Sequence, residues 1–301
     1  MSERKFAVAP QGPGFELFDN HTHLDCILAT PEAQQLGWQV RDILDLAQQA
    51  GVSKLVQVGW NLPSAHWTSG VITEFPELLG AIAIHPNEAP KHEGITSVAP
   101  DGLVIDLEDH HQTSLDEALV QIGYLAKANS KIRALGETGL DYFRTSEAGV
   151  AAQKKSFRAH IAMAKELGLA MQIHDRDAHA DVVDILLADG APQGTVFHCF
   201  AGDRQLAEIC NSQGWFMSFS GTFTFKANES LRQALQVADS SLILIETDAP
   251  FLTPHPHRGR LNHPAMIAQT FELMAEIRGV KQDILADILG KNTLGVYGSW
   301  D

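Results

Sequence analysis

The sequence predicts an α/β chain folded as a (β/α)8 TIM-type barrel. Eight short, apolar, β-prone runs recur along its 301 residues, and amphipathic segments of helical spacing separate them. Most of these runs stay apolar almost to their C-terminal ends, where an ionisable residue appears. Near-continuous apolar runs mark strands buried on both faces, as in a parallel sheet. Alternation with helices points to a barrel whose site is built at the C-terminal strand ends.

The opening stretch, "MSERKFAVAPQGPG", has charges, Pro and Gly but no apolar h-region. It therefore predicts a flexible N-terminal tail over residues 1–14 and no signal peptide. A single barrel domain is expected over 15–301. The first run, "FELFDNH", begins near Phe15 and leads into "LFDNHTHLDC" at 17–26. Residues i and i+2 of an extended strand point the same way, so His21 and His23 aim two imidazoles at one point. Asp19 shares that face, deeper in the strand. "VRDILDLAQQAG" (40–51) has helical spacing and stops at Gly, before the second run, "KLVQVGW" (54–60).

The third run, "LLGAIAIHP" (78–86), ends at His85, and 87–113 is the least regular part of the chain, expected as an extended loop region. "SLDEALVQIGYLAKAN" (114–129) opens with Ser114 and Glu117 in capping-box spacing. The fourth run, "IRALGETGL" (132–140), carries Glu137, and the long amphipathic "AAQKKSFRAHIAMAKELG" (151–168) follows it. "LAMQIHD" (169–175) ends with His174, and "GTVFHCF" (194–200) with His198. "WFMSFSG" (215–221) is the seventh run, and "LILIETDAP" (242–250) the eighth, closing on Glu246 and Asp248. Helices are expected at 179–190, 203–214 and 230–239.

Hydrophobic residues at 45% and charged residues at 20% are ordinary for a soluble globular protein. No apolar run approaches the ~18 residues of a membrane span, so no membrane partner is expected. The three cysteines, Cys26, Cys199 and Cys210, form no CxxC pair, which fits a reducing cytoplasm. The formal charge of −15 excludes a globally basic face of the kind that wraps duplex DNA. An anionic substrate must then be held by local groups or by bound cations.

One ionisable residue at a buried strand end is commonly a satisfied core group. His21, His23, His85, Glu137, His174, His198, Glu246 and Asp248 at equivalent ends of separate strands need a common partner, because buried charges require pairing. A divalent metal, or two, is the economical partner. Imidazole and carboxylate suit Zn²⁺, Mn²⁺ or Fe²⁺, and no thiolate site is indicated.

"DNHTHLD", "IHPNEA", "GETGLDYFR", "QIHDRDA", "HCFAG", "SFSGTFTFK", "ETDAP" and "HRGRLNHP" follow one another in the order of the TatD-like metal-dependent deoxyribonuclease family. The chain resembles that family over about 17–297. The resemblance implies a barrel of the amidohydrolase-like group holding two divalent ions, Zn²⁺, Mg²⁺ or Mn²⁺. By position it implies that His21, His23 and Asp248 hold one ion, that His174 and His198 hold the other, and that Glu137 bridges them. Asp248 would also activate the attacking water. Two ions ~4 Å apart suit phosphodiester hydrolysis, since they stabilise both attacking and leaving oxygens. The chain departs from the family pattern at Ala83, Thr138, Asp175 and Ala201. None of these removes a ligand, but Asp175 sets a negative charge beside His174.

For substrate contacts, the resemblance points to Arg258 and Asn262 in the loop after the eighth run. Arginine suits bidentate phosphate recognition. Arg144 and Arg176 lie just beyond ligand-bearing strand ends, to meet phosphates or to pair with carboxylates. His85 either contacts substrate or caps the turn before Pro86. Cys199 is expected to face away from His198 as packing, and His110, His111, His255, His257 and His263 to be ordinary surface histidines in loops. Phe225 and Trp60 are open between pocket wall and core. The expected reaction is exonucleolytic trimming of single-stranded or frayed DNA ends, with no protein partner indicated. The alternatives are hydrolysis of another ester or amide, such as an aminoacyl-tRNA ester or a lactone, and a metal-binding scaffold without catalysis.

Overall fold

The computed structural model describes residues 4–103 and 105–300. Residues 1–3 of the expected tail lie outside the described residues, as do Val104 and Asp301. Eight strands form one sheet: β1 (Leu17–Thr22), β2 (Val52–Gly59), β3 (Leu78–Ile82), β4 (Ile132–Asp141), β5 (Ala170–Arg176), β6 (Thr195–Phe197), β7 (Phe216–Phe219) and β8 (Ile243–Ile245). They hydrogen-bond in chain order, with parallel pairing, and helices alternate with them. The end of β8 returns to β1: Thr22 bridges Ala249, the His23 N–H donates to the Ala249 carbonyl at 2.9 Å, and the Asp248 N–H donates to the His21 carbonyl at 2.9 Å. The fold is the expected TIM-type (β/α)8 barrel.

Contacts group the chain into two compact units. The first comprises Met1–Gln57, Phe75–Leu79 and Cys199–Asp301. Its core holds Leu17, Leu24, Ile27, Leu244, Phe219 and Phe271. The helix Gln282–Tyr297 lies against β1, where a Cβ on Gly290 would come within 3.1 Å of the Phe18 ring. Within the stretch expected as a loose tail, Leu261 exchanges backbone hydrogen bonds with Lys5 and Ala7 at 2.9 Å. Phe6 stacks on Trp38 with centroids 4.5 Å apart. An aromatic residue and paired backbone dock this segment despite its neighbouring Pro and Gly.

The second unit comprises Val58–Glu74 and Gly80–His198. β4 pairs with β5 in a register that sets Gly139 opposite His174. Gly139 has φ 142°, and a Cβ there would sit 2.0 Å from the His174 carbonyl oxygen, so a side chain is excluded. The helix Val150–Leu167 covers β4 with Phe157, Ile161 and Ala164 and ends on Gly168 in the left-handed region. The Ser114–Glu117 capping box forms as the spacing predicts.

Several boundaries differ from the sequence reading. β8 stops at Ile245, because Asp248 turns the chain into the left-handed region at φ 54°. β3 stops at Ile82. The irregular region after it contains a helical turn, Ala89–His92, and a 3-10 turn, Asp109–Gln112. Helices Leu62–Glu74, Ile267–Arg278 and Gln282–Tyr297 add to those read from the sequence. Among the described residues no helix is long and apolar enough to cross a membrane.

Candidate active site

In the first unit, His21 and His23 are 0% and 2% exposed. Their Nε2 atoms lie 3.2 Å apart, as the i, i+2 alternation requires. Asp248 Oδ1 lies 3.4 Å from His23 Nε2 and 3.9 Å from His21 Nε2. The left-handed turn that aims this carboxylate is one Asp adopts at modest cost. Behind it, Asp19 accepts from the Thr247 N–H at 2.9 Å, from the Thr247 hydroxyl and from the His21 N–H at 3.3 Å. Complete burial pushes the Asp19 carboxyl up to about 8. Asp19 thus ties β1 to the turn carrying Asp248.

Cys199 does not follow strand alternation, because β6 ends at Phe197 and Cys199 has φ 42°. Its N–H donates to Glu246 Oε1 at 2.7 Å, and its Sγ lies 3.2 Å from Ser220 Oγ. Glu246 is therefore a brace for the turn after β6.

A cleft of about 620 Å³ in this unit is lined by Arg4, Arg258, Arg260, Phe225 and Phe251, among others. Among the described residues, three guanidinium-bearing side chains and no carboxylate line it. The Phe251 ring lies 6.1 Å from that of His23, so the cleft abuts the His–Asp cluster. The Arg258 guanidinium stacks 4.7 Å over the Phe225 ring, which makes Phe225 a wall residue. Asn262 is placed otherwise than expected. It is fully buried, and its side-chain amide donates to the Thr247 and Phe251 carbonyls at 2.9 and 2.6 Å. It braces the turn beneath the cleft instead of facing a substrate.

In the second unit, Glu137 Oε2 lies 2.8 Å from His198 Nε2, 3.1 Å from His174 Nδ1 and 3.6 Å from His85 Nε2. Burial pushes the Glu137 carboxyl up, but His85, His198 and His174 outweigh it and hold it well below the usual range. His85 Nδ1 accepts from the Asn87 N–H at 3.0 Å, so its neutral ring carries the proton on Nε2, toward Glu137. Burial, opposed by Glu137, lowers the His85 pKa to about 4. Both readings of His85 meet here: it caps the turn and it faces the acidic centre.

His174 Nε2 lies 3.0 Å from Asp141 Oδ2. Burial acts to lower the His174 pKa, yet hydrogen bonds to Asp141 and Glu137 raise it to about 9. Asp141 is fully buried and accepts from the Phe143 and Arg144 N–H groups at 3.1 and 2.8 Å and from Asn87 Nδ2 at 3.1 Å. Asp141 and Asn87 are functional candidates that the sequence reading passed over. The signal was present: Glu137, Gly139 and Asp141 alternate along one strand, and so share a face.

The other second-unit candidates lie apart from this cluster. Arg144 is exposed, with Nε 3.8 Å from Asp101, the carboxylate pairing that the sequence left open. Arg176 stacks 4.0 Å over the Phe143 ring. Asp175 Oδ2 lies 2.7 Å from His179 Nδ1, in a hydrogen bond separate from those of His174. Thr138 is satisfied by buried His160 at 3.1 Å. Of the histidines expected at the surface, His111 and His263 are buried and His110 is half-buried.

The donor sets fit divalent ions. Two imidazole nitrogens 3.2 Å apart leave room for at most one proton between them, so at least one lone pair sits beside the Asp248 oxygen. His174 Nδ1 and His198 Nε2, both aimed at the buried Glu137 Oε2, make the other set with that carboxylate. Such N and O donors are those of zinc and manganese sites.

The family model described as TatD related DNase matches residues 18–298. The Mycobacterium tuberculosis protein named "uncharacterized metal-dependent hydrolase TatD" is 34% identical over 286 residues, covering 94% of this chain and 98% of that protein. The Bacillus subtilis "uncharacterized metal-dependent hydrolase YabD" is 34% identical over 282 residues, covering 93% and 98%. The crystal structure of YjjV, a TatD homologue of Escherichia coli K12, superposes with a TM-score of 0.79 at 24% identity, over 94% of this chain and 98% of that one.

Proposed function

The chain belongs to the TatD-related DNase family, a family of metal-dependent hydrolases, and we propose that it hydrolyses phosphodiesters at the ends of single-stranded DNA. His21, His23 and Asp248 would hold one divalent ion, and His174, His198 and Glu137 would hold another, as Zn²⁺, Mg²⁺ or Mn²⁺. When bound, such ions act as Lewis acids on phosphoryl oxygen and lower the pKa of water.

The protein's own groups supply the rest. Asp248 accepts the proton of the attacking water, and its turn is held by the backbone bond to His21. Asp141 accepts from His174 Nε2–H, which fixes the ring and leaves Nδ1 toward Glu137. His85 presents Nε2–H to Glu137 and steadies that carboxylate. Arg258, already stacked on Phe225, receives a phosphate, and Phe251, 52% exposed, offers a face to a base.

The observation that carries this reading is the cleft. In a chain of net charge −15, three arginines and two aromatic rings line one cleft beside the His21–His23–Asp248 cluster. That combination suits an anionic, aromatic polymer gripped at a few phosphates.

A substrate panel tests the proposal. Single-stranded DNA, an aminoacyl-tRNA and a lactone are incubated with the protein, with chelator, and with chelator followed by excess Mn²⁺. DNA hydrolysis that chelator stops and Mn²⁺ restores is expected. Restored ester hydrolysis with intact DNA would transfer the site to carboxylic esters. No metal-dependent turnover of any substrate would favour a scaffold.

A further inference from the structure

A second group of histidines lies outside the site described above. One ring nitrogen from each of His92, His110 and His111 falls within 4.8 Å of the other two. His92 is 5% exposed. Its Nδ1 donates to the Thr113 carbonyl at 2.8 Å, which leaves the lone pair on Nε2, and that buried nitrogen has no hydrogen-bond partner. A buried, unprotonated imidazole nitrogen without a donor is costly unless something else meets it. Burial lowers the His92 pKa, which favours the neutral ring.

The neighbours complete a ligand set. His111 Nδ1 accepts from the Glu108 N–H at 2.8 Å, so its proton is on Nε2, and Nε2–H donates to Glu88 Oε2 at 2.8 Å. His111 is therefore a positioning residue and not a ligand, since the Glu108 N–H on Nδ1 holds its proton on Nε2. His110 Nε2 lies 3.1 Å from the same Glu88 oxygen, while its Nδ1 lies 3.6 Å from the Glu108 carboxylate. His110 Nε2 hydrogen-bonds the Glu88 oxygen, so an ion bound there takes the place of the proton between them, and the ring proton moves to Nδ1, on the side of Glu108. Glu88 is 2% exposed, and Lys91, on its other oxygen at 2.7 Å, helps keep it ionised.

We propose that His92, His110 and Glu88 form a further zinc-binding site, with His111 holding the carboxylate in place. Two imidazoles and one carboxylate are a zinc donor set that leaves a fourth position for water. A ligand carboxylate held by an outer hydrogen bond matches the usual support around such ions. The ion would pin the turn Ala89–His92 to the turn Asp109–Gln112, the two ordered pieces of an otherwise irregular region. This site does not depend on the reaction proposed for the barrel.

Two measurements decide it. Crystals of the wild-type protein soaked in zinc at pH 7.5 are recorded at the zinc absorption edge, which requires no variant. An anomalous peak between His92, His110 and Glu88 is expected, and a map with no peak there overturns the proposal. In solution, wild type and His92→Gln are stripped with chelator, reloaded with zinc and desalted. Gln keeps a donor for the Thr113 carbonyl. The variant should retain one zinc fewer per chain, keep wild-type hydrolysis, and lose part of the zinc-induced rise in Tm. Equal zinc content in the two proteins overturns the assignment.

Discussion

Asp141→Asn perturbs the ligand set through one atom. In the wild type, Oδ2 accepts from His174 Nε2 at 3.0 Å, while Oδ1 accepts from the backbone N–H groups of Phe143 and Arg144 at 3.1 and 2.8 Å. An Asn in that place has one oxygen. If it keeps the two backbone bonds, its NH₂ faces His174 Nε2, which must then accept, and the ring proton moves to Nδ1. Nδ1 is the nitrogen turned toward Glu137 at 3.1 Å, the one proposed to hold the ion. If the amide flips, its NH₂ confronts two N–H donors, and that orientation fails. Loss of such an outer partner typically costs about 10–100-fold in metal affinity, roughly 1.4–2.7 kcal/mol. Competition for Zn²⁺ against a chromophoric chelator should show one binding event weakened by that factor, with the event at His21, His23 and Asp248 unchanged. Two affinities equal to those of the wild type would refute the tautomer argument.

Asp248→Asn should lower kcat by orders of magnitude with a small change in Tm. Asn is also at ease in the left-handed turn at φ 54° but has no basicity, and near-normal turnover would show that Asp248 is not the base. In the metal-free protein, His174 titrates near 9 and is protonated at neutral pH, so loading must displace its proton. Affinity for that ion should rise as pH rises from 6 toward 9 and then level off. Calorimetry in buffers of different ionisation enthalpy should detect the proton released, and a pH-independent affinity would contradict the shift. Arg258→Ala should raise KM for single-stranded ends, reduce the salt slope by roughly 0.7, the share of one phosphate contact, and leave metal content unaltered. An unchanged slope would place the phosphate grip elsewhere.

The residues that were legible in the sequence are those whose signal is local. Runs such as "KLVQVGW" announce buried strands, and the i, i+2 spacing of His21 and His23 does place their nitrogens 3.2 Å apart. Strand ends were less legible. "LILIETDAP" continues as an apolar pattern, but the regular strand ends at Ile245, and Asp248 and Ala249 then meet β1 through single backbone bonds to His21 and His23, far away in sequence. The helix Leu62–Glu74 was hidden because it buries Leu62, Ala65, Thr68, Val71 and Ile72 with little polar contrast around it. Asn262 has the composition of a substrate contact and the placement of a brace, a distinction that only burial makes. His92, His110 and His111 are separated by an irregular stretch with no periodicity. Their convergence on one another and on Glu88 follows from how that stretch folds back.

The most direct measurement is the rate of cutting of a linear single-stranded DNA against that of a closed single-stranded circle of the same sequence, in one buffer with Mn²⁺. Held at a few phosphates by a short arginine-lined cleft, the linear strand should shorten progressively from an end while the circle stays intact, and chelator should stop the reaction. Cutting of the circle as fast as the linear strand would contradict end recognition, and an intact linear strand alongside hydrolysis of a carboxylic ester would contradict phosphodiester hydrolysis itself.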